Sequence, residues 1–217
     1  MYQKIIKRII DVVLSGIGIV VAAIPMLVIA VIIMIDSPGP VFFRQKRVGI
    51  HKSHFTIIKF RSMPVNAPKD TPTHELKNAG SYLSPFQERI RKYSIDELPQ
   101  LFNIFKGDMS IIGPRPALWN QYDLIKERDK YGANDVKPGL TGWAQINGRD
   151  ELPIEVKAAY DGEYVRRLSF AFDVRCFFGT FFAVATAEGV SEGGPKAKSS
   201  QTGERPSDAE GGEDQDG

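Results

Sequence analysis

The chain has 217 residues, 42% of them hydrophobic and 25% charged, with a formal net charge of +2. That balance excludes a wholly disordered or fibrous chain and leaves room for one sizeable domain with appendages. The single cysteine, Cys176, excludes both an internal disulfide and a cysteine-rich zinc site.

Charge is unevenly spread. Of the 28 basic and 26 acidic residues, 25 and 19 precede position 191, so the body carries a formal +6. A basic body suits anionic partners such as phosphates, nucleotides or an anionic lipid surface. Residues 12–35, VVLSGIGIVVAAIPMLVIAVIIMI, contain no charge. As a helix they would reach about 36 Å, enough to enter or cross a bilayer. Asp36-Ser37-Pro38-Gly39-Pro40 follows, unlike the small-residue site that ends a signal peptide. Lys4, Lys7 and Arg8 precede the apolar run, and Arg44, Lys46, Arg47 and Lys52 follow it. Cations on both flanks place both ends on the cytoplasmic side. Pro25, in the middle, removes a backbone hydrogen bond. A proline-broken, re-entrant helix is therefore favoured over a simple span. Asp11, three residues after Arg8, is positioned to pair with it.

After the membrane segment, 41–45 and 55–60 read as strands of an antiparallel hairpin turned at Gly49–Lys52. Lys59 and Arg61 alternate with Phe60, so both cations point to one face. Residues 64–80 hold three prolines and form a loop. His51, His54 and His74 lack metal-binding spacing. Short helices are expected over 86–92 and from Asp96 to Lys106, with Gly107 as the stop. Trp119–Tyr131 and Ile154–Leu168 read as helices, and Lys137–Trp143 as a glycine-punctuated loop. Phe177, Phe178, Phe181 and Phe182 recur at helical spacing, a face for either the core or a membrane surface. From Ser191 onward apolar residues vanish, which predicts a disordered tail.

The chemistry concentrates in Arg91–Pro116, RKYSIDELPQLFNIFKGDMSIIGPRP. Asp96 and Glu97 are adjacent acids near a helix start, where the helix dipole favours ionised carboxylates. Ser94-x-x-Glu97 also fits a capping box, in which Glu97 only folds back on the helix. Gly113-Pro114-Arg115-Pro116 is a rigid turn that presents a guanidinium. Carboxylates able to hold a metal or act as nucleophile, beside fixed cations and a membrane segment, suit phosphoryl chemistry at a lipid surface.

These residues resemble the bacterial sugar transferase family of monotopic phosphoglycosyl transferases. The likeness rests on Arg91-x-x-Ser94-x-Asp96-Glu97-Leu98-Pro99-Gln100, Asn103-x-x-x-Gly107-Asp108-Met109-Ser110 and Gly113-Pro114-Arg115-Pro116. It extends to Lys7-Arg8-x-x-Asp11, Lys59-Phe60-Arg61-Ser62-Met63, Pro138-Gly139-Leu140-Thr141-Gly142, Gln145-x-Asn147-Gly148-Arg149, Tyr160-Asp161 and Leu168-Ser169-Phe170, and so covers residues 1–190. It implies an α+β protein: a mainly helical cytoplasmic domain (37–190) with a small antiparallel β-hairpin, attached to a re-entrant membrane helix (1–36) broken at Pro25. Residues 191–217 have no counterpart in it.

It further implies transfer of a sugar-1-phosphate from a UDP-sugar to a polyprenol phosphate such as undecaprenyl phosphate, with release of UMP. This is the first membrane step of exopolysaccharide or glycoconjugate assembly. Asp96 matches the nucleophile that carries a covalent phosphosugar, and Glu97 its partner. Mg²⁺ is implied, against Asp96 and Glu97. Arg115 would contact the donor's phosphate or uridine, and Lys59, Arg91, Arg149 and Asp161 line the site. The cytoplasmic face of the bacterial inner membrane is the implied location. Downstream glycosyltransferases are implied partners, and nucleic acid is not. One departure is Ile24, which stands where a small polar residue often precedes the break proline. A catalytically silent scaffold and a Mg²⁺-dependent nucleotide-sugar hydrolase are the competing readings.

Overall fold

The computed structural model describes residues 2–65, 67, 83–148 and 152–186. In chain order it has α1 (Lys7–Asp36), β1 (Phe42–Val48), β2 (His54–Phe60), α2 (Pro85–Lys92), α3 (Gln100–Lys106), β3 (Ser110–Ile112), α4 (Tyr122–Asp129), β4 (Gly139–Thr141), α5 (Trp143–Ile146), α6 (Ile154–Arg167) and α7 (Phe170–Thr186). The expected mainly helical protein with a small antiparallel hairpin is present. β1 and β2 pair from Phe42↔Phe60 to Val48↔His54. The turn between them takes His51 and Lys52 to positive φ.

The stretch expected to be a loop around Gly139 is instead a strand. β3 and β4 form a second, parallel pair, with Ser110 opposite Gly139 and Ile112 opposite Thr141. Glycine makes this possible by size. A Cβ on Gly113 would lie 2.5 Å from the Lys137 carbonyl oxygen. The crossing therefore admits only bare backbone, and three residues of strand carry too little pattern to be read from sequence.

α1 lies along the body rather than projecting from it. At its start Lys7 binds Asp173 at 2.6 Å, and Arg8 donates to the carbonyls of Ile104 and Phe105 at the end of α3. Gly16 and Gly18 let α1 lie close to α3: a Cβ on Gly16 would meet the Phe105 ring at 3.4 Å and one on Gly18 would meet Leu101 at 3.2 Å. Toward its end, Met26 and Ile33 join Phe60 and Ile90 in one apolar cluster, against which Ile95 and Leu98 pack. Both ends of α1 are thus fastened to the same body. Its outer face is bare: Val20, Val21 and Ile24 are 72–77% exposed. Pro25 lies inside this helix, which is helical on both sides of it.

The expected Arg8–Asp11 pair is absent. Asp11 Oδ1 accepts from the Ser110 hydroxyl (3.0 Å) and the Ile111 amide (2.9 Å), while Arg8 caps α3. Local spacing suggested a partner three residues away, but burial gave each charge a long-range one. The phenylalanine run expected at 177–182 of α7 does not form core. Phe178, Phe181 and Phe182 are exposed, on the same helix side as Phe170 and Val174, whereas Phe172 and Cys176 face inward. The tail 191–217 and most of the loop 64–80 lie outside the described residues.

Candidate active site

Three elements bring the acids and cations together. β2 supplies Lys59, and Ser62 follows two residues after the strand ends. A single 3-10 turn, Ile95–Glu97, supplies Asp96 and Glu97 between α2 and α3. The turn after β3 supplies Arg115. α3 is fixed to β2 by buried Asn103, whose side chain accepts from the Ile58 amide (3.0 Å) and donates to the Thr56 carbonyl (2.8 Å). That clamp holds the acid turn against the strand that carries Lys59.

The capping-box reading of Ser94-x-x-Glu97 does not hold. Ser94 adopts a left-handed conformation (φ 56°, ψ 24°) and makes no side-chain cap. The regular helix starts only at Gln100, after Pro99. Glu97 reaches across the fold instead: Oε1 accepts from Lys59 Nζ at 2.6 Å and from Arg115 Nη2 at 3.0 Å. A reciprocal capping box does exist one helix earlier, between Ser84 and Gln87 at the start of α2.

Asp96 is buried, and the Ser62 hydroxyl donates to its Oδ2 at 3.1 Å. Ser62 is the site residue that the sequence alone did not single out. Its signal was its place three residues after Lys59 in Lys59-Phe60-Arg61-Ser62. Arg61, expected on the same face as Lys59, turns away and donates to the Ser37 and Pro38 carbonyls at the end of α1.

The Arg115 turn is held from both sides. Gly113 N–H donates to Thr141 (2.8 Å) and Gly139 N–H to Pro114 (2.9 Å). On the far side, Arg47 donates to the Pro116 carbonyl at 2.9 Å. The guanidinium of Arg115 nevertheless keeps 35% of its side chain exposed, against 12% for Glu97 and 14% for Lys59. The cluster therefore opens toward solvent on the Arg115 side.

Electrostatics separate the two acids. Burial alone would raise the Glu97 carboxyl, but the charges and hydrogen bonds of Arg115 and Lys59 outweigh it and hold Glu97 far below the usual carboxylate range. Asp96 goes the other way. Burial pushes its carboxyl up, and the neighbouring Glu97 charge adds to the rise; Lys59, Arg91 and the Ser62 hydroxyl oppose it only in part. Burial likewise pushes Lys59 down, against the pull of Glu97. Arg91, on the last turn of α2, acts on Asp96 through its charge, and its buried Nε finds no acceptor among the described residues.

Among the described residues no three His, Cys, Asp or Glu side chains converge as an all-protein metal cage. The donors present, the Asp96 carboxylate with the Ser62 hydroxyl and the adjoining Glu97, are hard oxygens. They fit a magnesium ion held by one or two carboxylates together with substrate phosphates. The buried Asp96 carboxylate has a hydroxyl and no cation in direct contact among the described residues, which favours that fit.

Asp161 is held elsewhere. Its Oδ2 accepts from Arg128 Nε (2.8 Å) and Nη2 (2.6 Å), joining α6 to α4 in a sealed pair. Arg149 lies outside the described residues.

A profile of the bacterial sugar transferase family matches residues 2–187. EpsL of Bacillus subtilis (strain 168), called an uncharacterized sugar transferase, is 37% identical over 195 residues, covering 87% of this chain and 91% of that protein. A UDP-glucose:undecaprenyl-phosphate glucose-1-phosphate transferase of Xanthomonas campestris pv. campestris is 43% identical over 157 residues, covering 69% of this chain but 32% of that protein. A UDP-N-acetylgalactosamine-undecaprenyl-phosphate N-acetylgalactosaminephosphotransferase of Aeromonas hydrophila is 38% identical over 191 residues, covering 85% and 45%. The chain thus spans most of EpsL and less than half the length of these two named transferases. It belongs to the bacterial sugar transferase family.

Proposed function

We propose that this protein transfers a sugar-1-phosphate from a UDP-sugar to undecaprenyl phosphate and releases UMP, by way of a covalent phosphosugar on Asp96. The observation that carries the reading is the cluster itself: a buried, weakly solvated carboxylate, Asp96, beside an acid, Glu97, that two cations hold ionised. The names of the relatives, which act on UDP-sugars and undecaprenyl phosphate, support the substrate class.

Asp96 attacks the sugar-bearing phosphorus and UMP departs. The acceptor phosphate then attacks the same phosphorus and frees the carboxylate. Arg115, more exposed than Lys59, meets the incoming diphosphate, and Arg91 offers a buried Nε–H that has no acceptor among the described residues. Lys59 holds Glu97 in place and adds positive charge where negative charge gathers in the transition state. Asp96 and Glu97 would hold magnesium, which would supply charge neutralisation at the leaving phosphate. Ionised Glu97 keeps its second oxygen for that task while Oε1 binds Lys59 and Arg115.

The bilayer enters from one side. A helix whose two ends are fastened to one body must leave the membrane by the face it entered, and cations flank both ends of α1. The mid-helix residues Val20, Val21 and Ile24, around Pro25, then lie deepest. The exposed phenylalanine face of α7 lies on the same surface at the interface, its first turn tied to the start of α1 by Tyr2–Phe170 and Lys7–Asp173. The arrangement fits the cytoplasmic face of a bacterial inner membrane, where a nucleotide sugar meets a lipid phosphate.

The test is UMP release by the purified full chain with a panel of UDP-sugars, scored with and without Mg²⁺ and undecaprenyl phosphate. Sustained release that needs both supports the proposal. Sustained release without any lipid would make the protein a hydrolase instead.

A further inference from the structure

We propose that Ser62 is a positioning residue whose hydroxyl speeds the second half of the reaction by stabilising the Asp96 carboxylate as it leaves. The inference rests on Asp96 being the nucleophile.

The geometry is specific. Ser62 is buried, and its hydroxyl is the donor that reaches Asp96 among the described residues, at 3.1 Å from Oδ2. Lys59 and Arg115 both spend their contacts on Glu97 instead. The backbone beside Ser62 is fixed, because the Arg61 amide donates to the Val41 carbonyl at 2.8 Å and the Arg61 guanidinium caps α1. A hydroxyl held this way needs no reorganisation during the reaction. With Oδ2 engaged, Oδ1 is the oxygen left to attack.

Charge then moves through the hydrogen bond twice. In the first half, an Oδ1–phosphorus bond forms, the bond from that phosphorus to the bridging oxygen breaks, and the electron pair leaves on UMP. Oδ2 becomes the neutral carbonyl oxygen of a mixed anhydride. In the second half, an oxygen of the acceptor phosphate attacks, the Oδ1–phosphorus bond breaks, and its electron pair returns to Asp96 as a carboxylate shared over both oxygens. The Ser62 proton stays on Ser62 throughout. A hydrogen bond to a charged acceptor is roughly twice as strong as one to a neutral acceptor. The Ser62 contact therefore favours the free carboxylate over the covalent adduct. It opposes charge loss in the first half and assists charge return in the second, so the enzyme does not rest as its own intermediate.

The experiment compares wild type, S62A and S62T as full chains in lipid nanodiscs with Mg²⁺. It uses undecaprenyl phosphate and the β-³²P-labelled form of whichever UDP-sugar supports wild-type turnover. In a two-step exchange, kcat/KM for the donor reports the first half and kcat/KM for the acceptor the second. S62A is expected to lose about tenfold in kcat/KM for undecaprenyl phosphate, with a smaller change for the donor. It should also hold a larger labelled fraction at steady state, and S62T should restore both. Equal losses on the two substrates, or no rise in labelled protein, would overturn the role of Ser62. If S62A does not fold, S62C keeps the volume with a weaker donor and must show the same split. Wild type that turns over but never carries label at Asp96 refutes the nucleophile reading instead, whatever Ser62 does.

Discussion

Two of the buried acid–cation sites among the described residues are built differently. Arg128 and Asp161 pair one to one, with side chains 5% and 1% exposed. Two guanidinium nitrogens engage a single carboxylate oxygen, and the pair closes α4 onto α6. The Asp96 cluster sets Lys59, Arg115 and Arg91 against two acids and leaves Arg115 partly open. Its acids are unequal, because Glu97 takes both direct cation contacts and Asp96 only a hydroxyl. A sealed one-to-one pair has its needs met within the chain. An open cluster with surplus cations and an under-served carboxylate has room for an anion and a metal.

The sharpest way to break the comparison is to neutralise one acid in each site. Asp96→Asn is expected to cut turnover by at least about a thousandfold while the protein stays folded. Trapping of β-³²P label from donor alone should vanish with it. Asp161→Asn is expected to act on stability instead, by roughly 3–5 kcal/mol, because it leaves the Arg128 charge buried without its partner. Chemical denaturation and the specific activity of the folded fraction separate the two outcomes. Replacing Arg128 and Asp161 together by apolar residues should recover most of that stability. If the double variant folds well yet loses turnover, Asp161 has a role in the site after all.

Arg115 comes next in size. Arg115→Ala is expected to lower kcat/KM for the UDP-sugar by about a hundredfold. Arg115→Lys should recover only part of this, since a lysine cannot reproduce the planar fork that meets both Glu97 and a phosphate. A smaller effect is expected on the membrane face. Changing Phe178 and Phe181 together to Ser should shift the protein from vesicles toward solution in a flotation assay, with the active cluster unaltered.

What the sequence disclosed depended on how local the physics was. The β1–β2 hairpin and the Gly107 stop of α3 follow from residues within a few positions, and both are where the pattern put them. The acids, Lys59 and the arginine turn were visible as residue types. Their wiring was not. Ser94-x-x-Glu97 has the local form of a cap, yet Glu97 is bound to Lys59, 38 residues earlier, and to Arg115, 18 residues later. Arg8 and Asp11 failed in the same way, as each found its partner about a hundred residues away. Ser62, and the part Arg91 plays beyond its place in the motif, became legible only once burial was known. A missing acceptor in one case and a lone donor in the other are properties of the packed site.

The smallest expected effect concerns stability at the same acid whose loss costs most activity. The Asp96 carboxyl is raised above its ordinary 3.8 by burial. A raised carboxyl binds its proton more tightly in the folded chain than in the unfolded one. Stability is therefore lost as pH rises from about 3.8 through the raised value, and the loss persists above it. Asp96→Asn removes a group that must ionise in a buried place. In Mg²⁺-free buffer near neutral pH, the variant is expected to melt at a higher temperature than wild type, and the gap should close as pH falls toward 4. Burial raises the Asp161 carboxyl too, against the charge and hydrogen bond of Arg128, but Asp161→Asn should show no such gain, because it leaves the buried Arg128 guanidinium without its charged partner. Added Mg²⁺ should narrow the Asp96→Asn gap by stabilising wild type alone. A melting temperature for Asp96→Asn at or below wild type under metal-free conditions would mean that Asp96 is already well compensated. The contrast between an under-served nucleophile and a sealed pair would then fail.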